Sequence, residues 1–233
     1  MKRKLLLLLA VACLLSCRKN DLPAQSTRPD GTAGVSVDAQ GNLVINAPVY
    51  VAIPEGNEKY ELKPADGDLF LEIDDSFSVG EIDKIIIASG TISGGRVSIT
   101  IPIPDSKSMR TAESRFSSER LKSGSDIRCR FIRISGADVN LGLFANPQVE
   151  YDSFGEEWYD FIYSEGDVVV SGSYIGSAGD GYAFHELVDV RLTQGWNTIA
   201  YSDKVDSEAK TVTRTEISKN PPPDAVWVLW WWR

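Results

Sequence analysis

The segment from Tyr151 to Tyr163 holds the residues whose types and spacing could do chemistry. It reads YDSFGEEWYDFIY, so six aromatic side chains are interleaved with carboxylates. Aromatic rings stack on the C–H faces of sugars, and carboxylates accept hydrogen bonds from sugar hydroxyls. The same rings could pack in the core of a β-sheet protein, and we favour this second interpretation for the segment as a whole. Trp158 and Tyr159 are its candidate ligand contacts.

A second aromatic cluster lies at the C-terminus, where three prolines are followed by DAVWVLWWWR. Successive side chains of a strand point to opposite faces, and here both faces are apolar. One interpretation is a closing strand that is buried in the fold. The other is a tip that contacts a membrane, a glycan or a partner protein, because tryptophan is enriched at such surfaces. The candidate contacts are Trp230, Trp231 and Trp232.

Residue types that commonly serve in catalysis or metal binding are scarce. His185 is the only histidine, and no Gly-x-Ser-x-Gly turn lies near it. Cys129 lies in the pattern RCRFIRI and is interpreted as an apolar strand residue, not as a nucleophile. One histidine and three cysteines provide no recognisable zinc ligand set, and no glycine-rich phosphate loop opens a helix. We therefore predict no metal, no cofactor and no enzymatic activity.

Carboxylates leave two weaker alternatives open. Carboxylates in turn-like segments at residues 66–68, 74–75 and 180–181 could offer oxygen ligands to Ca²⁺, but their spacing fits no EF-hand loop. Asp and Gly are also ordinary turn residues. A glycoside hydrolase would need two carboxyls that face each other across a cleft, which proximity in sequence does not show. The candidates for such a pair are Glu156, Glu157, Asp160, Glu165 and Asp167.

The N-terminus carries the most specific motif in the chain. Residues 1–17 read MKRKLLLLLAVACLLSC, a basic start followed by an apolar run from Leu5 to Leu15. As a helix this run would be about 16 Å long, roughly half the hydrocarbon thickness of a bilayer. Its pattern is that of an export signal. The sequence Leu14-Leu15-Ser16-Cys17 resembles the lipobox of bacterial lipoprotein precursors.

This resemblance implies where the protein is located. In that family the thiol of the cysteine, here Cys17, receives a diacylglycerol group, and the signal peptide, here residues 1–16, is removed. Two or three acyl chains then anchor the protein stably in the membrane. Leu15 departs from the smaller residue that is commoner at its position, and Arg18 favours the outer membrane. The alternative is an ordinary secretory signal in which Cys17 has no role.

The rest of the chain predicts an all-β fold. Residues 17–34 comprise the cysteine that is expected to be acylated and a flexible tether that is polar and contains Pro and Gly. From Val35 onward, short β-branched runs alternate with turn residues, including Gly94-Gly95 before an alternating strand. One short helix is expected near residues 113–121. We predict one or two antiparallel, Ig-like β-sandwich units, at residues 35–124 and 125–233, or one continuous sandwich over 35–233.

Charge limits the class of partner. With 24 basic and 33 acidic residues the net charge is −9, which disfavours nucleic acid as a partner. We predict a membrane-anchored envelope lipoprotein with a non-catalytic binding or adhesion role towards a glycan or protein. The alternative is a structural component of envelope assembly that docks through the Trp-rich C-terminal strand. A carbohydrate-active enzyme ranks third.

Overall fold

The computed structural model describes residues 32–55, 59–75, 86–136, 139–145, 157–179 and 181–231. Strands account for 68% of the structure and helices for 6%, which confirms the predicted all-β class. The strands are β1 (Val35–Val37), β2 (Leu43–Glu55), β3 (Lys59–Pro64), β4 (Leu69–Asp75), β5 (Ile86–Ser93), β6 (Arg96–Ile101), β7 (Arg110–Thr111), β8 (Leu121–Ser123), β9 (Arg128–Ser135), β10 (Val139–Ala145), β11 (Glu157–Ser164), β12 (Val168–Gly179), β13 (Tyr182–Leu192), β14 (Gly195–Asp206), β15 (Thr211–Ser218) and β16 (Val226–Trp231).

Helical structure in the described residues is short. It comprises the helix α1 (Ala112–Arg115) and two 3₁₀ turns, Thr32–Gly34 and Ser106–Ser108. The sequence predicts a helix over residues 113–121, whereas α1 ends at Arg115 and the chain continues to β8. Among the helices in the described ranges, none has the length and apolar character needed to cross a membrane.

Eight strands form a closed barrel. Their order is β9–β4–β5–β6–β2–β16–β10–β11, and the pairing of β11 with β9 closes the ring. This is not a clear Ig-like sandwich, so the finer form of the fold differs from the expectation. Strands in sandwiches and in barrels both bury one face, so the alternation of apolar residues does not distinguish the two. The pairings between distant strands decide the architecture.

The structure has two main clusters of buried apolar residues, and the larger one fills the interior of the barrel. In β6 the side chains of Val97, Ile99 and Ile101 point inward and are buried, as their alternation predicts. The preceding turn uses positive φ angles of 55° at Gly94 and 73° at Gly95, which glycine adopts without steric cost.

Five further strands continue the sheet beyond the barrel, in the order β14–β15–β13–β12–β8. The segment β7–α1–β8 connects β9 to the far edge of this extension, because β7 pairs with β9 and β8 pairs with β12. A second apolar cluster lies between them and includes Cys129, which is fully buried in β9. The interpretation of Cys129 as an apolar strand residue is confirmed.

The C-terminal strand β16 lies within the barrel wall. It pairs with β2 on one side and with β10 on the other. Trp227, Val228 and Leu229 are all buried, so both faces of this strand are covered, which agrees with the closing-strand interpretation. The side chains of Trp230 and Trp231, and all of Trp232, lie outside the described residues, and their proposed contacts stay a prediction.

The structure can be compared with two of the predicted boundaries, the division between the two β units and the end of the tether. Strands from both sides of the division at residues 124 and 125 take part in one barrel, and separate folding of the two parts stays a prediction. Three residues assigned to the tether, Thr32–Gly34, lie against the barrel, since the indole N–H of Trp227 donates to the carbonyl of Ala33 over 3.0 Å. Residues 1–31, with Cys17, lie outside the described residues.

Candidate functional site

A cavity of about 510 Å³ lies between the strand extension and the α1–β8 segment. Strands β9 and β11 form one of its walls, so they present one face to the barrel interior and the other to the cavity. The lining residues are Arg115, Phe116, Ser117, Arg120, Phe131, Trp158, Asp160, Val170, Glu186, Val188, Tyr201, Arg214 and Glu216. The apolar members Phe131, Val170 and Val188 are buried, whereas the carboxylates and Tyr201 are half-buried.

Strand register brings four of these residues into one row. Trp158 lies opposite Tyr201, Tyr201 lies opposite Glu216, and Glu216 lies opposite Val188. Side chains of directly opposed residues share one face of a sheet. The row therefore crosses four strands, β11, β14, β15 and β13, and faces the cavity.

A neighbouring row carries paired charges. Arg214 donates two hydrogen bonds to the carboxylate of Asp203, from Nε over 2.8 Å and from Nη2 over 2.7 Å. Glu186 lies opposite Arg214 in the register of β13 and β15, and its carboxylate forms an ion pair with Arg120. Two of the guanidinium groups at the cavity thus have carboxylate partners.

Aromatic rings hold this part of the wall in place. The rings of Trp158 and Tyr201 stack with centroids 5.6 Å apart and an angle of 13° between their planes. The guanidinium carbon of Arg214 lies 5.7 Å from the ring centroid of Trp158 and 5.7 Å from that of Phe184. A cation at this distance is attracted by the electron-rich faces of the rings.

Burial shifts the titration of two carboxyls towards neutral pH. It raises the pKa of Asp160 to about 6. The pKa of Glu216 rises to about 7, first through burial, then through the charge of Glu186 and a hydrogen bond with that carboxyl. A protonated carboxyl donates a hydrogen bond, whereas an ionised carboxyl only accepts. Near neutral pH these groups can therefore both donate and accept hydrogen bonds.

Tyr201 remains a neutral phenol in this environment. Burial, and next the charges of Asp160 and Glu216, raise its pKa well above the ordinary value of 10.0. Its ring faces the cavity together with a hydroxyl that can donate and accept.

The structure separates the two ligand contacts predicted from the Tyr151–Tyr163 segment. Trp158 lines the cavity. Tyr159, the next residue of β11, points into the barrel core, is buried and donates its hydroxyl to Glu157. Strand alternation places the two rings on opposite faces, so Tyr159 does not line the cavity.

The sequence pattern did not identify most of the polar residues that line the cavity as candidate site residues. Asp160 was named only as one of five acidic candidates, and Glu186, Tyr201, Arg214 and Glu216 were not singled out. The available signal was the strand sequence TVTRTEIS, where Arg214 and Glu216 occupy alternate positions on one face. Charged residues on the inner face of a strand are costly unless paired or functional.

The acidic turns considered for calcium have other contacts. The carboxylate of Asp66 accepts a hydrogen bond from the N–H of Gly67 over 2.8 Å. Asp74 is fully buried and forms an ion pair with Arg133. In the described part of the chain, no group of three or more His, Cys, Asp or Glu side chains is arranged to hold a metal ion.

Comparison of the chain with protein families, with curated proteins and with solved structures found no match.

Proposed function

We propose that this chain is a lipid-anchored protein of the bacterial envelope whose cavity binds a glycan without chemical change. The observation that supports the glycan is the lining of the cavity, where Trp158 and Tyr201 lie beside the carboxyls of Asp160 and Glu216. The cavity volume of about 510 Å³ is within the range of small-molecule sites.

The chemistry of a sugar matches this lining. Each hydroxyl both donates and accepts a hydrogen bond, and carboxyl and guanidinium groups together supply acceptors and donors. The aromatic rings and Val188 supply apolar contacts for C–H groups. Charges that are already paired, such as Arg214 with Asp203, need no charged group of the ligand to balance them.

The lipobox resemblance supports the membrane anchor. In the proposed protein Cys17 carries the acyl chains, and the following residues connect it to the turn Thr32–Gly34, which lies against the barrel. Arg18 favours the outer membrane. The lipid bilayer is then the first partner of the protein, and the glycan is the second.

A glycan screen tests this proposal with the full chain purified in detergent. The variant Trp158→Ala removes the ring that lines the cavity, and Phe70→Ala is the matched control, because Phe70 is 62% exposed and is not part of the cavity. Binding that is lost with Trp158→Ala and kept with Phe70→Ala supports the proposal. Binding that survives Trp158→Ala and Glu216→Gln, or no binding to any glycan of a broad screen, contradicts it.

A carbohydrate-active enzyme is the second candidate function. The observation in its favour is that Asp160 and Glu216 have pKa values of about 6 and about 7, close to those that acid–base catalysis requires. Incubating each glycan that binds and analysing it for cleavage products separates binding from hydrolysis. Docking through Trp230–Trp232 in envelope assembly is a further candidate function, and co-purification of a stoichiometric partner that is lost on truncation would support it.

A further inference from the structure

Three guanidinium groups, those of Arg115, Arg120 and Arg214, and three carboxyls, those of Asp160, Glu186 and Glu216, line the cavity. Arg120 forms an ion pair with Glu186, and Arg214 forms one with Asp203. Within the described residues, neither Asp160 nor Glu216 has an ion pair with a lysine or arginine side chain. Two carboxyls in the cavity therefore lack a cation at bonding distance.

These two carboxyls lie on either side of one aromatic pair. Tyr201 lies opposite Glu216 on β15 and opposite Trp158 on β11, and Asp160 follows Trp158 by two residues on the same face. Strands β11 and β15 are separated by one strand, which places them roughly 10 Å apart. The side chains of Asp160 and Glu216 line the same cavity.

We infer that the ligand of this cavity carries a protonated primary amine, as an unacetylated amino sugar does, held between the carboxyls of Asp160 and Glu216 beside the rings of Tyr201 and Trp158. This inference rests on the proposed glycan binding and names the substrate class of the same site.

An ammonium group of the ligand would stabilise the ionised carboxylates of Asp160 and Glu216, which burial disfavours. The ionised form of a buried carboxyl is costly, and an adjacent cation restores it through charge-assisted hydrogen bonds. The rings add attraction for a cation, as the position of Arg214 between Trp158 and Phe184 illustrates. The guanidinium groups of Arg214 and Arg120 already lower the pKa of Glu216 in part, but less than burial and Glu186 raise it. Binding of the ammonium group then lowers the pKa values of Asp160 and Glu216 further and releases protons from both.

An acetylated amine cannot replace this group. The acetamide carries no charge, so the two carboxyls would stay protonated or remain buried without a cation. A site built around a hydrogen-bonding group rejects analogues that lack it by large factors. A ligand with a carboxylate or phosphate would face Asp160 and Glu216 with like charge.

Titration calorimetry tests the inference on the full chain in detergent. The probes are a tetramer of glucosamine, the same tetramer fully N-acetylated, a glucuronate oligomer, and 1,5-diaminopentane as an amine without a sugar. We expect the glucosamine tetramer to bind more than about tenfold more tightly than its acetylated form. Repeating the titration at pH 6 in buffers of different ionisation enthalpy should show net release of protons.

Two isosteric variants and one control locate the effect. Asp160→Asn and Glu216→Gln should each weaken binding of the glucosamine tetramer by about tenfold or more and reduce the proton release. Asp189→Asn, whose carboxylate is 61% exposed and is not part of the cavity, should leave both unchanged. Circular dichroism of each variant confirms that it is folded.

The other possible results show whether the amine inference fails alone or together with the proposed glycan binding. Equal binding of both tetramers overturns the amine and leaves the glycan. Tighter binding of the glucuronate oligomer overturns the amine in favour of an anionic glycan. If 1,5-diaminopentane binds as tightly as the glucosamine tetramer, the ligand need not be an amino sugar, and that part of the inference is overturned. If none of the four probes binds, the whole inference is overturned. Glycan binding itself is overturned only by the outcomes of the broad glycan screen.

Discussion

Trp158 and Tyr201 stack face to face across the neighbouring strands β11 and β14, with their ring centroids 5.6 Å apart. Strand β11 belongs to the barrel wall, whereas β14 is the first strand beyond it. The stack therefore joins the wall of the cavity to the rigid barrel. On the other face of β11, Phe161 stacks on Trp227 with centroids 6.0 Å apart, inside the barrel core. The cavity wall is fixed from both sides of one strand, as binding with little rearrangement requires.

The pH dependence of stability tests the environment of Asp160. Its pKa rises from 3.8 to about 6 on folding, so the folded state keeps a proton that the unfolded state loses between about pH 4 and pH 6. Stability therefore falls as pH rises through this window. Asparagine does not ionise, so Asp160→Asn should stabilise the protein at pH 8 by about 1–2 kcal/mol after allowance for solvent screening, and by much less at pH 4.

Urea unfolding at pH 4 and pH 8 measures this difference. The control Asp189→Asn removes an exposed carboxylate and should change stability by similar small amounts at both pH values. A loss of stability in Asp160→Asn that is the same at both pH values would contradict the burial of this carboxyl.

The ion pair between the buried carboxylate of Asp74 and Arg133 tests the packing of the barrel strands β4 and β9. Arg133 donates from Nε and Nη2 to the two carboxylate oxygens of Asp74 over 3.1 Å each, and the Asp74 side chain is fully buried. Asp74→Ala should cost about 2–3 kcal/mol in the free energy of unfolding, because it removes both hydrogen bonds and leaves a gap.

Chemical denaturation of Asp74→Ala and Asp189→Ala gives the comparison. The carboxylate of Asp189 is 61% exposed and lies 3.5 Å from Arg191, so its removal should change the free energy of unfolding by less than about 0.5 kcal/mol. Equal effects of the two variants would show that the buried carboxylate of Asp74 contributes no more to stability than an exposed one.

Membrane fractionation tests the anchor. The full chain should sediment with the membranes, and Cys17→Ala should move it to the soluble fraction, because acylation at Cys17 supplies the membrane affinity. Protease digestion of intact cells reports the side of the membrane: cleavage without lysis indicates surface exposure, and protection until lysis indicates the periplasm. A Cys17→Ala variant that fractionates with the membranes like the wild type would argue against the lipoprotein assignment.

The sequence predicted the local features of the fold but not its closure. Alternation at Val97, Ile99 and Ile101 and the turn at Gly94-Gly95 indicated strands with one buried face, and these are found. Closure depends on β9, which pairs with β4, β10 and β11. Such pairings between distant strands leave no periodic signal in the sequence, so sandwich and barrel could not be distinguished.

The candidate site was predictable only in part, for a similar reason. Trp158 was found because aromatic and acidic residues cluster around it. Tyr201, Arg214 and Glu216 lie more than forty residues further along the chain and reach Trp158 through strand register. Tyr159 shares the composition of its neighbour but lies on the opposite face of β11, which composition alone does not reveal.

Binding of a glycan in the cavity is tested most directly by the indole N–H signals of the tryptophans in a nitrogen–proton correlation spectrum. Trp196 and Trp227 donate their indole N–H groups to the carbonyls of Gly41 and Ala33 in the barrel, over 3.1 Å and 3.0 Å, and serve as internal controls. The variant Trp158→Phe identifies the signal of Trp158. We predict that a bound glycan shifts this signal saturably and leaves the signals of Trp196 and Trp227 in place. A glycan that binds without moving the Trp158 signal, or that shifts all three signals alike, would contradict it.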